Sequence, residues 1–329
     1  MTIDFGKLDA WKLNAGLFAA LIAVLLASLM AGRTWVPFGH WLSGDLQSLI
    51  VMELRLPRAC VGAVIGASLG MAGAAMQGYL RNPLADPGLF GVSSSAALGA
   101  VVSLYFGFAV SAWLLPVFAL TGAALGMVAL AILAGRSGSL ILFTLSGVIL
   151  SSLTGALTSL LISLAPTPFA SSEIVTWLMG ALMDRSWDDV RIALPVSVLG
   201  MAALLWAARS LDALTLGDAA ARTLGVNMSR LQWLIVIGVG LTVGSSVAVA
   251  GIIGFVGLVV PHLVRPLVGH QPSALLIPSA LAGALLVVLA DCLVRILPST
   301  SEVRLGIAMA SLGAPFFMML LFKMRREIA

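Results

Sequence analysis

Residues able to do chemistry are scarce in this chain of 329 residues. His40, His262 and His270 are its three histidines, and their spacing matches no zinc motif such as HExxH, so they read as structural or interfacial groups rather than metal or haem ligands. Cys60 and Cys292 sit in or beside apolar runs, where a small thiol packs as a hydrophobe; a disulfide or ligand role is the alternative. Gly6-Lys7 is followed by Leu8 rather than Ser or Thr, so no phosphate-binding loop is formed there. The clearest ionisable group within an apolar run is Asp291, near a helix end, where it could reach water or pair with Arg295 at i+4. This set offers little for a hydrolytic centre or for the mid-depth relay of a proton-coupled carrier.

The elements around these residues explain the scarcity. Hydrophobic residues make up 60% of the chain and charged residues 10%, with a mean hydropathy of +1.09, too little polarity to cover a water-facing surface. An all-α polytopic membrane bundle is expected, in a single transmembrane domain over 1–329. The apolar windows and their breakers place about ten spans, near 13–31, 59–80, 92–108, 113–134, 140–164, 192–208, 231–250, 252–268, 274–293 and 306–322. The first follows Lys7 and Lys12 and is longer than a signal-peptide core, so it reads as an uncleaved helix. Gly251, Gly254, Gly257, Pro261 and Pro266 interrupt the eighth, which reads as a broken helix buried in the bundle. Connections this short leave no room for a nucleotide-binding domain, so any ATP chemistry belongs to a partner.

Ten spans place both termini on one side, and the positive-inside tendency makes that side cytoplasmic. Eleven of the 18 cations then lie inside, and the rest, Arg33, Arg55, Arg58, Arg185, Arg191, Arg295 and Arg304, lie outside without a lysine among them. Guanidinium forks grip carboxylates bidentately, so the outer face suits an acidic protein surface; pairing with local acids such as Glu53, Asp188, Asp189 or Glu302 is the alternative. The cations form no block with interleaved aromatics, which argues against nucleic acid.

Gly62, Gly66, Gly70 and Gly73 form one small-residue face for close helix packing. Two polar interruptions are sharper. In Gln77 to Gly88, Pro83 and Pro87 stop a helix, and as a gate this loop would set Asn82 and Leu84 at the inner mouth of a pathway. Within the cytoplasmic loop 209–230, Leu214 to Val226 reads as a short helix outside the bilayer. Asp218 stands at its start, Arg222 lies at i+4, and Gly225 is placed for a C-cap. Its apolar composition suggests that it docks into something.

Five runs in order, Arg55-Leu56-Pro57-Arg58, Gln77 to Gly88, Gly217 to Val226, Ala250 to His262 and Leu312-Gly313-Ala314-Pro315, resemble the FecCD-type permease family, BtuC-like membrane subunits of ABC importers for ferric siderophores, haem and cobalamin. The resemblance implies a homodimer in the bacterial inner membrane, with two cytoplasmic ATPases carrying ATP and Mg, a periplasmic binding protein outside, and no cofactor on this chain. It also implies a coupling helix with Gly217, Asp218, Ala221, Arg222, Leu224 and Gly225, binding-protein docking at Arg55 or Arg58 and Arg295, and a cytoplasmic gate at Asn82 and Leu84. The path-facing helices would be the fifth span, the outer helix around Glu173 to Met183, and the tenth span. Met183-Asp184-Arg185-Ser186 departs from the small Gly/Ser-rich turn of many relatives. An iron complex is the expected cargo, cobalamin the alternative, and an ion-coupled secondary carrier the competing class.

Overall fold

The computed structural model describes residues 9–328, except 33, 35, 42, 109–110, 112, 136–138, 270 and 298–301. Lys7, Arg33, Arg136 and His270 lie outside the described residues, as do the side chains of Lys323, Arg325 and Arg326. Among the described residues the long elements are all helical: α1 Ala10–Met30, α2 Leu46–Leu80, α3 Val92–Tyr105, α4 Leu114–Ala134, α5 Leu140–Ser163, α6 Pro168–Leu178, α7 Trp187–Leu214, α8 Asp218–Thr223, α9 Met228–Ala250, α10 Val256–Val268, α11 Pro272–Ile296 and α12 Leu305–Ile328. Seven are long and apolar enough to cross a bilayer, and α3, α10 and α12 are shorter apolar helices. Together they match the ten expected spans in order.

Several boundaries move, each for a local reason. The second span begins at Leu46, thirteen residues before its apolar window, and passes through a π-helical stretch at Ile50–Arg55 just ahead of Pro57. A wide turn there accommodates the proline, which lacks a donor and crowds the preceding turn. Helix α7 runs far beyond 192–208: Ser186 and Asp189 close a capping box at its start, and charged turns through Asp212 extend it past the apolar window. The expected loop 209–230 is therefore the last turns of α7, a tight turn, α8 and the start of α9. The eighth span does break, but at Gly251–Gly254; Pro261 and Pro266 lie inside the continuous helix α10.

Helix α2 is the central post, buried over most of its length and packed on α11, α7, α9 and α10. Its glycine face is a contact of backbone on backbone. A Cβ on Gly66 would stand 2.2 Å from the Gly283 carbonyl oxygen, one on Gly70 2.1 Å from that of Ser279, and one on Gly73 1.9 Å from that of Gly257. Lipid tails are as apolar as the helices, so association relies on such close packing rather than on escape from water.

Gly66→Val should destabilise the purified chain by about 1–3 kcal/mol or more, the usual cost of overpacking. Gly16→Val, where an added Cβ meets nothing within 4 Å, should leave the unfolding midpoint close to wild type. Detergent-unfolding curves that shift equally for the two would contradict this packing.

Candidate functional site

Chemistry-bearing side chains collect at the two ends of the bundle. At the outer end, Arg58 on α2 grips Asp291 on α11 with Nε 3.0 Å from Oδ2 and Nη2 2.7 Å from Oδ1, and Nη2 also donates to Glu302 Oε2 at 2.8 Å. Arg295 reaches the same Asp291 at 3.1 Å, which realises the i+4 pair. The acid is only 1% exposed, so it pairs inside the bundle and does not reach water.

The two remaining guanidinium tasks concern α1, whose last carbonyls have no partner within their own helix. Arg55 donates to the carbonyls of Leu29 at 2.8 Å, Met30 at 3.2 Å and Thr34 at 2.5 Å. Arg295 donates to those of Ser28 at 3.1 Å and Ala31 at 3.2 Å, and to the Ser28 hydroxyl. Two cations thus cap one helix C-terminus, which the helix dipole also favours. Of the two readings of the outer arginines, an acidic partner or local acids, the second describes Arg58, which pairs with Glu302; Arg55, Arg58 and Arg295 are 6%, 9% and 6% exposed. Satisfying carbonyls and a carboxylate within the subunit turned them inward. Cys292 lies beside Arg295, and both cysteines are free thiols.

The Met183 to Ser186 turn is similarly tied down. Asp184 takes a left-handed φ of 59°, and Arg185 donates to the Val249 carbonyl at 2.7 Å near the end of α9. The adjoining break joins it: the Ala181 N–H donates to the Ala250 carbonyl and the Gly306 N–H to that of Gly180. Helix α6 ends at Leu178, short of the expected Met183, and a cavity of about 360 Å³ opens beside it, lined by Glu173, Trp177, Asp184, Arg185 and Arg304 among others.

Below the break, Pro261 has no N–H for the Gly257 carbonyl one turn earlier in α10. Gln77 on α2 supplies the missing donor, with Nε2 3.3 Å from the carbonyls of Gly257 and Leu258, while its Oε1 accepts from Arg265 Nη2 at 2.6 Å. His262 packs its ring against Phe316 at 6.1 Å, and His40 bonds Asp45 at 2.7 Å, both structural settings. No three ligating side chains converge on a metal position among the described residues.

At the inner end, α2 stops at Arg81 in the left-handed conformation, φ 51°. Asn82 Oδ1 accepts the Leu84 N–H at 2.9 Å, and Asp86 Oδ1 accepts the Gly88 N–H at 2.6 Å, so each polar residue folds its own corner of the loop. Burial pushes the Asp86 carboxyl above the usual carboxylate range, against the pull of the Gly88 N–H. Asn82 is exposed and Leu84 half-buried, both on a groove of about 510 Å³ against the start of α5.

The short helix forms as Asp218–Thr223, with Gly217 at φ 95° leading into it. Gly225 at φ 85° ends it: its N–H donates to the Arg222 carbonyl and the Val226 N–H to that of Ala221, the paired bonds of a glycine C-cap. Ala221 is buried, whereas Leu216 and Leu224 are 67% and 63% exposed. Asp218 bonds not Arg222 but Arg81, at 2.9 Å, so an ion pair joins this helix to the start of the loop that follows α2. Arg81, Gln77, Arg265, Asp291 and Glu302 carry contacts that no motif announced as a set; the i+4 spacing of Asp291 and Arg295, the acid Glu302 near the outer arginines and the unpaired carbonyl opposite Pro261 are the usable signals.

Asp291→Ala should cost about 3–5 kcal/mol of stability, because it strands two buried guanidiniums. Asp188→Ala, at an ion pair 71% and 44% exposed, should cost about 1 kcal/mol or less. Unfolding of the two purified variants separates these outcomes, and equal costs would contradict the buried network.

The comparisons with known proteins agree with one another. The FecCD transport family matches residues 20–323. The Fe(3+) dicitrate transport system permease protein FecD of Escherichia coli is 38% identical over 311 residues, covering 93% of this chain and 96% of the relative. The vitamin B12 import system permease protein BtuC of Vibrio cholerae is 37% identical over 324 residues, 96% of each chain. A solved chain described as an inward-facing conformation of a metal-chelate type ABC transporter superposes with a TM-score of 0.86 at 33% identity, over 96% of this chain and 100% of its own. With its ten apolar helices, its broken eighth span and this match along almost its whole length, the chain belongs to the FecCD transport family.

Proposed function

We propose that this chain is the membrane permease subunit of a binding-protein-dependent ABC importer that carries an iron complex, a ferric siderophore or haem, across the bacterial inner membrane. Two copies form the conduit, two cytoplasmic ATPases bind ATP and Mg, and a periplasmic protein delivers cargo. The observation that carries this reading is the short helix α8 with its flanking turns, where Leu216 and Leu224 are exposed on either side of the helix while its Asp218 holds Arg81 of the gate loop. An apolar surface of this kind suits a groove on an ATPase, and the ion pair suits transmission to Asn82 and Leu84. Gly217, Ala221, Arg222 and Gly225 shape that surface. An exposed pair is worth little as stability, about 0–1 kcal/mol, so its part is to keep helix and loop in register.

The exposed apolar face of α5, with Ile141, Leu145 and Ile149, supports a second copy packing along a shared axis. At the outer end, Arg55, Arg58 and Arg295 outnumber Asp291 and Glu302, which leaves the cluster cationic and suited to carboxylates on a delivering protein. Reception there exchanges an internal partner for an external one, and Glu302, the more exposed of the two acids, is the one to yield. Cobalamin is the second reading for cargo, since relatives named for iron citrate and for vitamin B12 match at 38% and 37% identity.

Leu224→Asp should abolish transport-linked ATP hydrolysis in the reconstituted complex while the subunit keeps its wild-type unfolding midpoint, because a charge at the centre of an apolar contact is desolvated without a partner. Normal coupled hydrolysis would remove α8 from the ATPase contact. Affinity for the delivering protein should fall as salt rises from low to physiological ionic strength. A salt-independent affinity would take the arginine cluster out of docking.

A further inference from the structure

The inner ends of α7 and α9 enclose a groove of about 590 Å³ that Leu224 and Gly225 of the coupling segment border on one side, and whose charged residues, Arg209 and Arg230, have no part in the coupling contact or the gate. Trp206 on α7 is 69% exposed, and the Arg230 guanidinium of α9 lies over its indole at 5.3 Å. Arg209 follows one turn later on α7 and lines the same groove, and both arginines are exposed. Neither forms an ion pair among the described residues, and the inner-end acids nearest in sequence are engaged elsewhere: Asp212 accepts the Ser273 N–H at 2.9 Å, and Asp218 holds Arg81. Two uncompensated guanidiniums therefore share one concavity.

The surroundings identify what that concavity meets. On α7 the exposed residues Leu194, Val198 and Leu205 form an apolar stripe that ends in Trp206 and Arg209. On α9 the exposed Ile237 and Trp233 form a parallel stripe that ends in Arg230. Both stripes are exposed faces of helices long and apolar enough to span a bilayer, and both stop in aromatic and then cationic residues at the same end. That order, hydrocarbon surface, indole, guanidinium, is the order of a bilayer leaflet from acyl chain to headgroup.

We propose that this groove binds the headgroup of an anionic phospholipid, with the phosphate between Arg209 and Arg230, Trp206 at the glycerol level and the acyl chains along the two stripes. A planar guanidinium pairs with phosphate oxygens in a bidentate manner, and two of them set a preference for an anionic over a zwitterionic lipid. Leu224 and Gly225 border the groove, so a lipid held there fixes the membrane side of the segment that carries α8. Anionic lipid thus becomes a structural partner of the coupling element.

The full-length chain in neutral detergent can be titrated with phosphatidylglycerol, phosphatidylcholine or soluble glycerol phosphate, and bound molecules counted by native mass spectrometry. Wild type should retain phosphatidylglycerol over phosphatidylcholine. Arg209→Gln and Arg230→Gln should each weaken phosphatidylglycerol about fivefold and together about thirtyfold, as expected for about 1 kcal/mol per cation near the surface. Lysine at both positions should keep most of the preference, and Arg191→Gln at the opposite end should leave it intact. Four results would overturn the proposal: equal retention of both lipids, a preference that survives the double glutamine variant, a preference lost equally in Arg191→Gln, or glycerol phosphate binding as tightly as the lipid. Loss of ATPase binding in the double variant with lipid preference unchanged would also overturn it and place the two arginines in the protein interface.

Discussion

Inside a bilayer no water is present to satisfy a backbone group that its own helix leaves unpaired, and the structure depends on meeting that constraint with side chains from elsewhere. Arg55 and Arg295 take the terminal carbonyls of α1, Arg185 takes one near the end of α9, and Gln77 takes the carbonyl that Pro261 releases. Arg55, Arg295 and Gln77 each cross from one helix to another, and Arg185 reaches its helix from the turn before α7. These side chains are thereby cross-links of the bundle, and the glycine face of α2 brings the backbones of α2, α10 and α11 into close contact.

That economy shapes function at both ends. Outside, the cations proposed to receive an acidic partner also hold α1 and α11 to α2, so the proposed docking would draw on the same atoms as the bundle geometry. Inside, Gln77 and Arg81, four residues apart near the foot of α2, reach α10 and α8 respectively. The Arg81–Asp218 pair thus ties α8 to the end of the post around which the other helices pack. Coupling of this kind requires two alternative arrangements that both surfaces bias, and short side-chain links between rigid helices are suited to it.

The membrane bundle was legible in the sequence because hydropathy reports burial in lipid directly, and the ten windows of apolar residues correspond to the observed helices in order. The glycine spacing on α2 and the glycine C-cap of α8 were legible for the same local reason: each follows from a few neighbouring residues. What escaped was long-range. Asp218 was paired with Arg222 by helical spacing, yet Arg81, 137 residues away, reaches it instead. The outer arginines read as either a docking face or partners of local acids, because a span window says where a residue lies along the membrane normal and not which way its side chain turns; Glu302, Asp189 and Asp188 do pair with Arg58, Arg185 and Arg191. Helix α7 outran its window because charged turns at its ends are helical without being apolar.

The most direct test of the central claim, that the bundle is moved only by proteins gripping it from outside, is uptake by the purified chain in liposomes. With ferric citrate or cobalamin outside and a proton or sodium gradient imposed, the chain alone should accumulate nothing, and uptake should begin only when ATPase, binding protein and ATP are supplied. Sustained gradient-driven uptake by the chain alone would contradict the account.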